Sequence, residues 1–317
     1  GEMRLLQADV AEQVMEEAYA CEENQEFTDF VDGFSSGKTD TKIVDLLLKL
    51  YQFSMSYPYP GEWLESCRQA YEIQNTEELE QAPWMQCIKA EIEKEVKEAA
   101  ELLAQAVEIC RQPDGPGFYL ELLESEHAGA SQALKAETFS QWKTCLDKME
   151  FKRLPPGKKA EKEQVSEQQQ KLAKDLRSQA KDLISEIQSK YFQETPEEII
   201  EHLQKAGKPV SVLVNLTLRF MNLYQEKKKE KNILDFADLE HYALEILVEH
   251  REDGDCRTDA ARELAEQFKE IMIDEYQDSN LVQEKLLTAV SGIEDGIYNI
   301  FMVGDVKQSI SRFRLAR

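Results

Sequence analysis

Absences narrow this chain before anything it contains is considered. It has no Cys-x-x-Cys pair: Cys21, Cys67, Cys87, Cys110, Cys145 and Cys256 lie far apart. That spacing excludes an ordinary zinc site and a disulfide framework, and it fits reduced thiols. No apolar run approaches the roughly 20 residues that span a bilayer, and no secretory leader opens the sequence. The expectation is a soluble, cytoplasmic protein without membrane contact. Glycine (13) and proline (9) are few in 317 residues, whereas Glu, Lys, Leu, Ala and Gln abound, so the chain should be mostly helical. A basic excess is also missing. With 38 Lys and Arg against 62 Asp and Glu the net charge is -24, which argues against a general nucleic-acid binder but leaves local basic patches open.

A complete phosphate-binding loop is lacking too. "GFSSGKTD", Gly33 to Asp40, imitates one, but only Phe34, Ser35 and Ser36 separate its two glycines. Four residues are needed for successive backbone N–H groups to curl around phosphates. The stretch before it places Phe27, Phe30, Val31 and Phe34 on one side of a helical turn, where a buried strand would be required. Gly37 is expected to end that helix and Asp40 to cap the next. Gly157-Lys158 follows two prolines and Gly207-Lys208 precedes one, so neither is a substitute.

The length allows two domains. From Glu2 to about Tyr224 the pattern is helical. "TKIVDLLLKLYQF" sets Ile43, Leu46, Leu47, Leu50 and Tyr51 at helical spacing, and a long helix is expected from about Pro83 to Cys110. Trp142 and Leu146 share a face and read as core. Further on, Val165, Leu172, Leu176, Ala180, Leu183 and Ile187 make a narrow apolar stripe on a charged helix, suited to an antiparallel pair. The loop before it gathers Lys152, Arg153, Lys158, Lys159 and Lys162. Such a cluster is either a solvated turn or a contact to a phosphate backbone. Thr195 and Pro196 start a helix expected to stop at Gly207, with another from about Val210 to Lys229.

Near residue 231 the character changes. "EIMID" and "IYNIFMVGD" read as strands, with the helical "NLVQEKLLTAVS" between them. A β-α-β order implies parallel strands, whose ligands bind at the strands' carboxyl ends. Both runs finish there on acids. Asp274 can hold Mg²⁺ through its water shell, and Glu275 can orient and deprotonate a water for in-line attack on a γ-phosphate. The competing explanation is an acidic cap on the helix that follows.

The sequence continues "IMIDEYQDSN", and about 25 residues later comes "VGDVKQSISRFR". This pair resembles motifs II and III of the superfamily 1A DNA helicases, the UvrD, Rep and PcrA group, and "LDFADLE" resembles the element leading back into their first motor domain. A finer resemblance, over nearly the whole chain, is to the A subunits of bacterial AddAB-type helicase–nucleases, carried by "LYQFSMSYPYPGEWL", "FKRLPPGKK" and "FMVGDVKQSISRFRLA". The resemblance implies a mostly α fold with a small α/β part: residues 1–230 as a helical 1B-type insertion, and 231–317 as the C-terminal part of a RecA-like P-loop NTPase domain, 1A. It implies ATP and Mg²⁺ as cofactors, with Asp274 on the metal and Glu275 as the base. Gln308 would sense the γ-phosphate, while Gln277, Asp278 and Arg314 couple the nucleotide to DNA. Phe313 would stack on a base of the translocating strand, a contact worth roughly 1–3 kcal/mol. Ser311 departs from the pattern, since tyrosine is usual there and serine cannot stack. Lys158 and Lys159 become candidate DNA contacts.

By the same resemblance the partners would be DNA, as a single strand and a duplex end, and the B subunit of the complex. The chain would be a central piece of a longer protein, inactive as an ATPase by itself because the P-loop, the second motor domain and the nuclease domain lie outside it. The alternative from a different class is a non-enzymatic acidic helical scaffold or partner-binding domain, in which Asp274 and Glu275 only cap a helix.

Overall fold

Two compact units build the chain, one of residues 72–205 and one of residues 1–71 with 206–317. This partition by compactness falls elsewhere than the change of secondary-structure character near residue 231. A computed structural model describes residues 2–35, 39–158 and 164–305. Gly37, Lys159, Gln308, Ser311, Phe313 and Arg314 lie outside the described residues.

The unit of residues 72–205 is helical. Its spine is Pro83–Arg111, opened by proline at the position where a missing N–H costs nothing. Glu167–Tyr191 packs along it, as does Leu120–Ala133. The apolar stripe of Glu167–Tyr191 buries Ala173, Ala180, Ile184 and Ile187, while Leu172 is exposed and Val165 precedes the helix. Leu176 and Leu183 pack half-buried against the same core. Trp142 and Leu146 are core, as their spacing predicts.

The other unit packs Glu2–Ala20, Gln25–Phe34 and Thr41–Ser54 against the later part of a helix that runs Pro196–Lys231. Ile43, Leu47 and Tyr51 are buried there as expected, together with Phe220 and Tyr224. The helix Gln25–Phe34 closes at Ser35, and Asp40 stands at the next N-cap without a side-chain bond to its own helix amides. Its carboxylate instead accepts from Tyr19 Oη at 2.9 Å.

The stop expected at Gly207 does not occur, and the helix continues through Gly207 and Pro209. Glycine serves close approach at this point, because an added Cβ would lie 3.0 Å from Tyr71 Cβ. An interior proline removes a hydrogen bond and typically costs ~3 kcal/mol or more, but Val212, Leu216, Phe220, Leu223 and Tyr224 bury the turns that follow. The helix ends instead at Asn232, left-handed at φ 53°, with Ile233 N–H returning to Lys228 O at 3.0 Å.

At this end sits a buried ion cluster. Lys228, 2% exposed, places Nζ 2.6 Å from both carboxylate oxygens of Asp238 and 3.0 Å from Asp235. It also lies 4.5 Å from the Tyr224 ring centroid. The two aspartates make the capping box that opens helix Phe236–Leu247.

Next come a hairpin of β1 (Val248–Glu249) and β2 (Cys256–Arg257) and a parallel pair of β3 (Ile271–Ile273) and β4 (Ile300–Met302). His250 pins the hairpin. Its ring stacks on Tyr59, with Nδ1 2.6 Å from Asp255 and Nε2 3.0 Å from Glu62. Burial raises the Asp255 carboxyl, but hydrogen bonds from His250 and Lys285 outweigh it and hold the group at about 2.

Candidate functional site

Strand β3 pairs with β4 in the register Ile271↔Ile300, Met272↔Phe301, Ile273↔Met302. Helix Leu281–Ala289 connects them, so the expected β-α-β unit is present. Two bonds of 2.9 Å extend the ladder, Val303 N–H to Ile273 O and Tyr276 N–H to Val303 O. The ladder therefore carries the acids of both strands to one edge.

Asp274 and Glu275 stand exposed at the end of β3. The first carboxylate accepts from the Glu275 backbone N–H at 2.9 Å, and Glu275 is left-handed at φ 53°, ψ 40°. A non-glycine residue held there stores of order 1–3 kcal/mol, the kind of strain that clusters at working sites. The chain then makes the single turn Tyr276–Asp278. Burial, and then the neighbouring Glu284 carboxylate, raise the Tyr276 phenol. Gln277 is buried and donates from Nε2 to Glu275 Oε2, while its Oε1 accepts the Asp305 N–H at 3.0 Å. Asp278 Oδ1 is buried and meets no donor among the described residues. Neither acid caps the following α-helix, where Asn280 makes a capping box with Gln283, and Glu275 heads the turn Tyr276–Asp278 without a side-chain bond to it. Asn280 and Gln283 both bond Glu240, at 3.3 and 2.8 Å, which ties "LDFADLE" to the same edge.

Hard oxygen donors on one exposed carboxylate suit Mg²⁺, which keeps several waters and takes substrate oxygens rather than an all-protein cage. Among the described residues, no group of three or more His, Cys, Asp or Glu could form such a cage. Both strands leave apolar side chains bare, with Met272 74% and Phe301 65% exposed, and Tyr298 just before β4 is 89% exposed.

A second candidate lies in the helical unit. Arg177 projects from the apolar stripe and makes a two-pronged pair with Glu126, at 2.7 and 2.5 Å. The same guanidinium donates to Lys152 O at 2.6 Å and lies 5.5 Å from the Phe151 ring centroid. Gly157 packs on Phe118, where a Cβ would come within 2.6 Å of the ring. These contacts shape a cleft of about 760 Å³ with Lys152, Arg153, Lys174 and Lys181 on its walls. Lys158 is exposed beside it. Spacing alone found Lys152 and Arg153. It missed Lys174 and Lys181, whose only signal was their one-turn-per-step recurrence with Arg177 on a helix judged by its apolar residues.

Residues 68–317 match the UvrD/REP helicase N-terminal domain family, and the chain belongs to that family. It is 39% identical to the A subunit of the ATP-dependent helicase/nuclease of Lachnoclostridium phytofermentans, an alignment that covers 100% of this chain and 23% of that protein. The subunits of the same name from Clostridium botulinum and Listeria monocytogenes are 36% and 35% identical, each over 99% of this chain and 25% of theirs. The chain thus spans about a quarter of the length of the relatives it matches. No helix is long and apolar enough to cross a membrane among the described residues.

Proposed function

We propose that this chain supplies the helical 1B-type insertion, residues 1–230, and the C-terminal part of the first RecA-like motor domain, residues 231–317, of an ATP-dependent DNA helicase–nuclease subunit. The whole protein translocates on and unwinds DNA at double-strand breaks for recombinational repair, and its partner in the cytoplasm is a B subunit. One observation carries this reading: the parallel β3–β4 pair brings Asp274-Glu275 and Gly304-Asp305 to the same carboxyl edge.

At that edge Asp274 would hold Mg²⁺ and Glu275 would take the proton of the attacking water. Bound Mg²⁺ supplies charge neutralisation on the β- and γ-phosphates. Asp278 Oδ1, buried without a donor among the described residues, is an acceptor available to a group beyond them, in keeping with nucleotide coupling. Gln308, Arg314 and Phe313 keep the γ-phosphate, coupling and single-strand roles that the resemblance implies, while Ser311 stands at a DNA-contact position where it cannot stack. The bare apolar residues of the sheet fit a domain completed by further strands.

Nothing in the sequence cradles the β- and γ-phosphates, so the chain alone is expected to show no DNA-stimulated ATP hydrolysis in a phosphate-release assay. Turnover that Glu275→Gln abolishes would show that the site is whole after all. The cleft beside Lys158 is proposed to lie against duplex phosphates, with Lys158 and Lys159 as the candidate contacts. Reversing both charges in the full-length subunit should weaken duplex binding and reduce the slope of log K against log salt by about 0.9 for each lost contact. An unchanged slope would return the loop to a solvated turn.

A further inference from the structure

The tips of β3 and β4 are clasped by one side chain. The Gln277 amide spends both ends, Nε2 on the Glu275 carboxylate and Oε1 on the Asp305 N–H. Its orientation is decided by the partners, because a backbone N–H only donates and an ionised carboxylate only accepts. The position therefore demands one donor and one acceptor on a side chain of this length. Glutamate has no donor when ionised and would set a like charge against Glu275, and asparagine is one methylene short.

The neighbouring glycine is fitted to the clasp. A Cβ on Gly304 would lie 2.7 Å from Gln277 Oε1 and 3.1 Å from its backbone N. Strand pairing does not require the clasp, since the ladder closes through Val303 and Tyr276 by backbone bonds. What the amide fixes instead is the direction of a carboxylate whose own backbone is left-handed.

We propose that Gln277 is a positioning residue for ATP hydrolysis, with Gly304 making room for it: it aims the Glu275 carboxylate and makes that carboxylate move with the backbone that follows β4. The inference rests on the proposed function, in which Glu275 is the base. A displacement of one side chain reaches the base through a single amide, so a shift of the Gly304–Asp305 backbone changes where Glu275 points.

The test uses the full-length subunit in its complex. Gln277→Ala is expected to lower kcat for DNA-stimulated ATP hydrolysis by about 10²-fold, the scale of misplacing a reacting group by an ångström, with KM for ATP unchanged. Without nucleotide, amide exchange of the peptide covering residues 300–305 should accelerate. Gly304→Ala should reproduce both effects, and should cost less in the Gln277→Ala background than alone, as for two changes acting through one contact. Wild-type kcat and exchange in Gln277→Ala would overturn the inference. So would full additivity, or a loss confined to KM or to global thermal stability. Glu275→Gln run in parallel separates the two levels: retained turnover there removes the base assignment itself, whereas abolished turnover beside an unaffected Gln277→Ala removes only the positioning role.

Discussion

In the full-length subunit Glu275→Gln is expected to lower ATP turnover by about 10²–10⁴-fold, the range that a positioned proton acceptor contributes. The substitution is close to silent in shape. An amide oxygen at the Oε2 position still accepts from Gln277 Nε2, and the left-handed backbone at residue 275 is untouched. Asp274 keeps its carboxylate and its bond to the next N–H. What disappears is the capacity to take a proton. ATP binding, measured with a slowly hydrolysed analogue, should therefore persist while phosphate release and strand separation stop together. Unwinding at an undiminished rate would contradict the base assignment, and equal loss of binding and turnover would point to a structural role for the carboxylate.

Much of this site was legible because it depends on order along the chain. Two apolar runs flanking a helical segment force a parallel pair, and a parallel pair forces its carboxyl ends to one edge. Asp274, Glu275 and the Gly-Asp after β4 follow from that geometry. The clasp did not follow, because Gln277 meets Asp305 from far along the chain and a glycine near a strand end has many uses. That neither acid caps the following α-helix became visible only with Asn280 at its start.

In the helical region, long runs with one apolar face were readable, and Pro83–Arg111 came within a residue of its observed end. The misjudged places are those where tertiary contact overrides local preference. Gly207 and Pro209 are stop signals by propensity, yet Tyr71 uses the missing Cβ and a buried apolar face sustains the helix beyond. On Glu167–Tyr191 the predicted stripe holds at Ala180 and Ile187, which are buried, and at Leu176 and Leu183, which pack against the core, but Leu172 is exposed and the helix also admits Arg177, because Glu126 meets it. The hairpin of two-residue strands carried no periodicity to detect.

The other large effect is expected on stability, from Lys228→Ala. Lys228 and Asp238 have side chains 3% and 8% exposed, and the lysine Nζ spans both Asp238 oxygens and one of Asp235. Burying such a group gains little net stability, because desolvation offsets the attraction, but removing one partner strands the other's charge at a typical cost of ~3–5 kcal/mol. Asp238 would be the stranded charge, and it also accepts the Asp235 N–H at 2.8 Å in the capping box. The damage should therefore concentrate on helix Phe236–Leu247, which carries Glu240 to the edge where Asn280 and Gln283 hold it. Amide exchange of that helix in the full-length subunit is the appropriate measurement, since local opening tracks local stability. A loss of about 4 kcal/mol corresponds to roughly 10³-fold faster exchange when RT is about 0.59 kcal/mol and opening is at equilibrium. Lys228→Met combined with Asp238→Asn leaves no buried charge and keeps an acceptor for the Asp235 N–H, so it should recover a large part of the protection. If Lys228→Ala exchanges at the wild-type rate, the cluster is not what joins the long helix to the edge held by Asn280 and Gln283. If the double variant is as unprotected as the single one, the charge balance is not the cause of the loss.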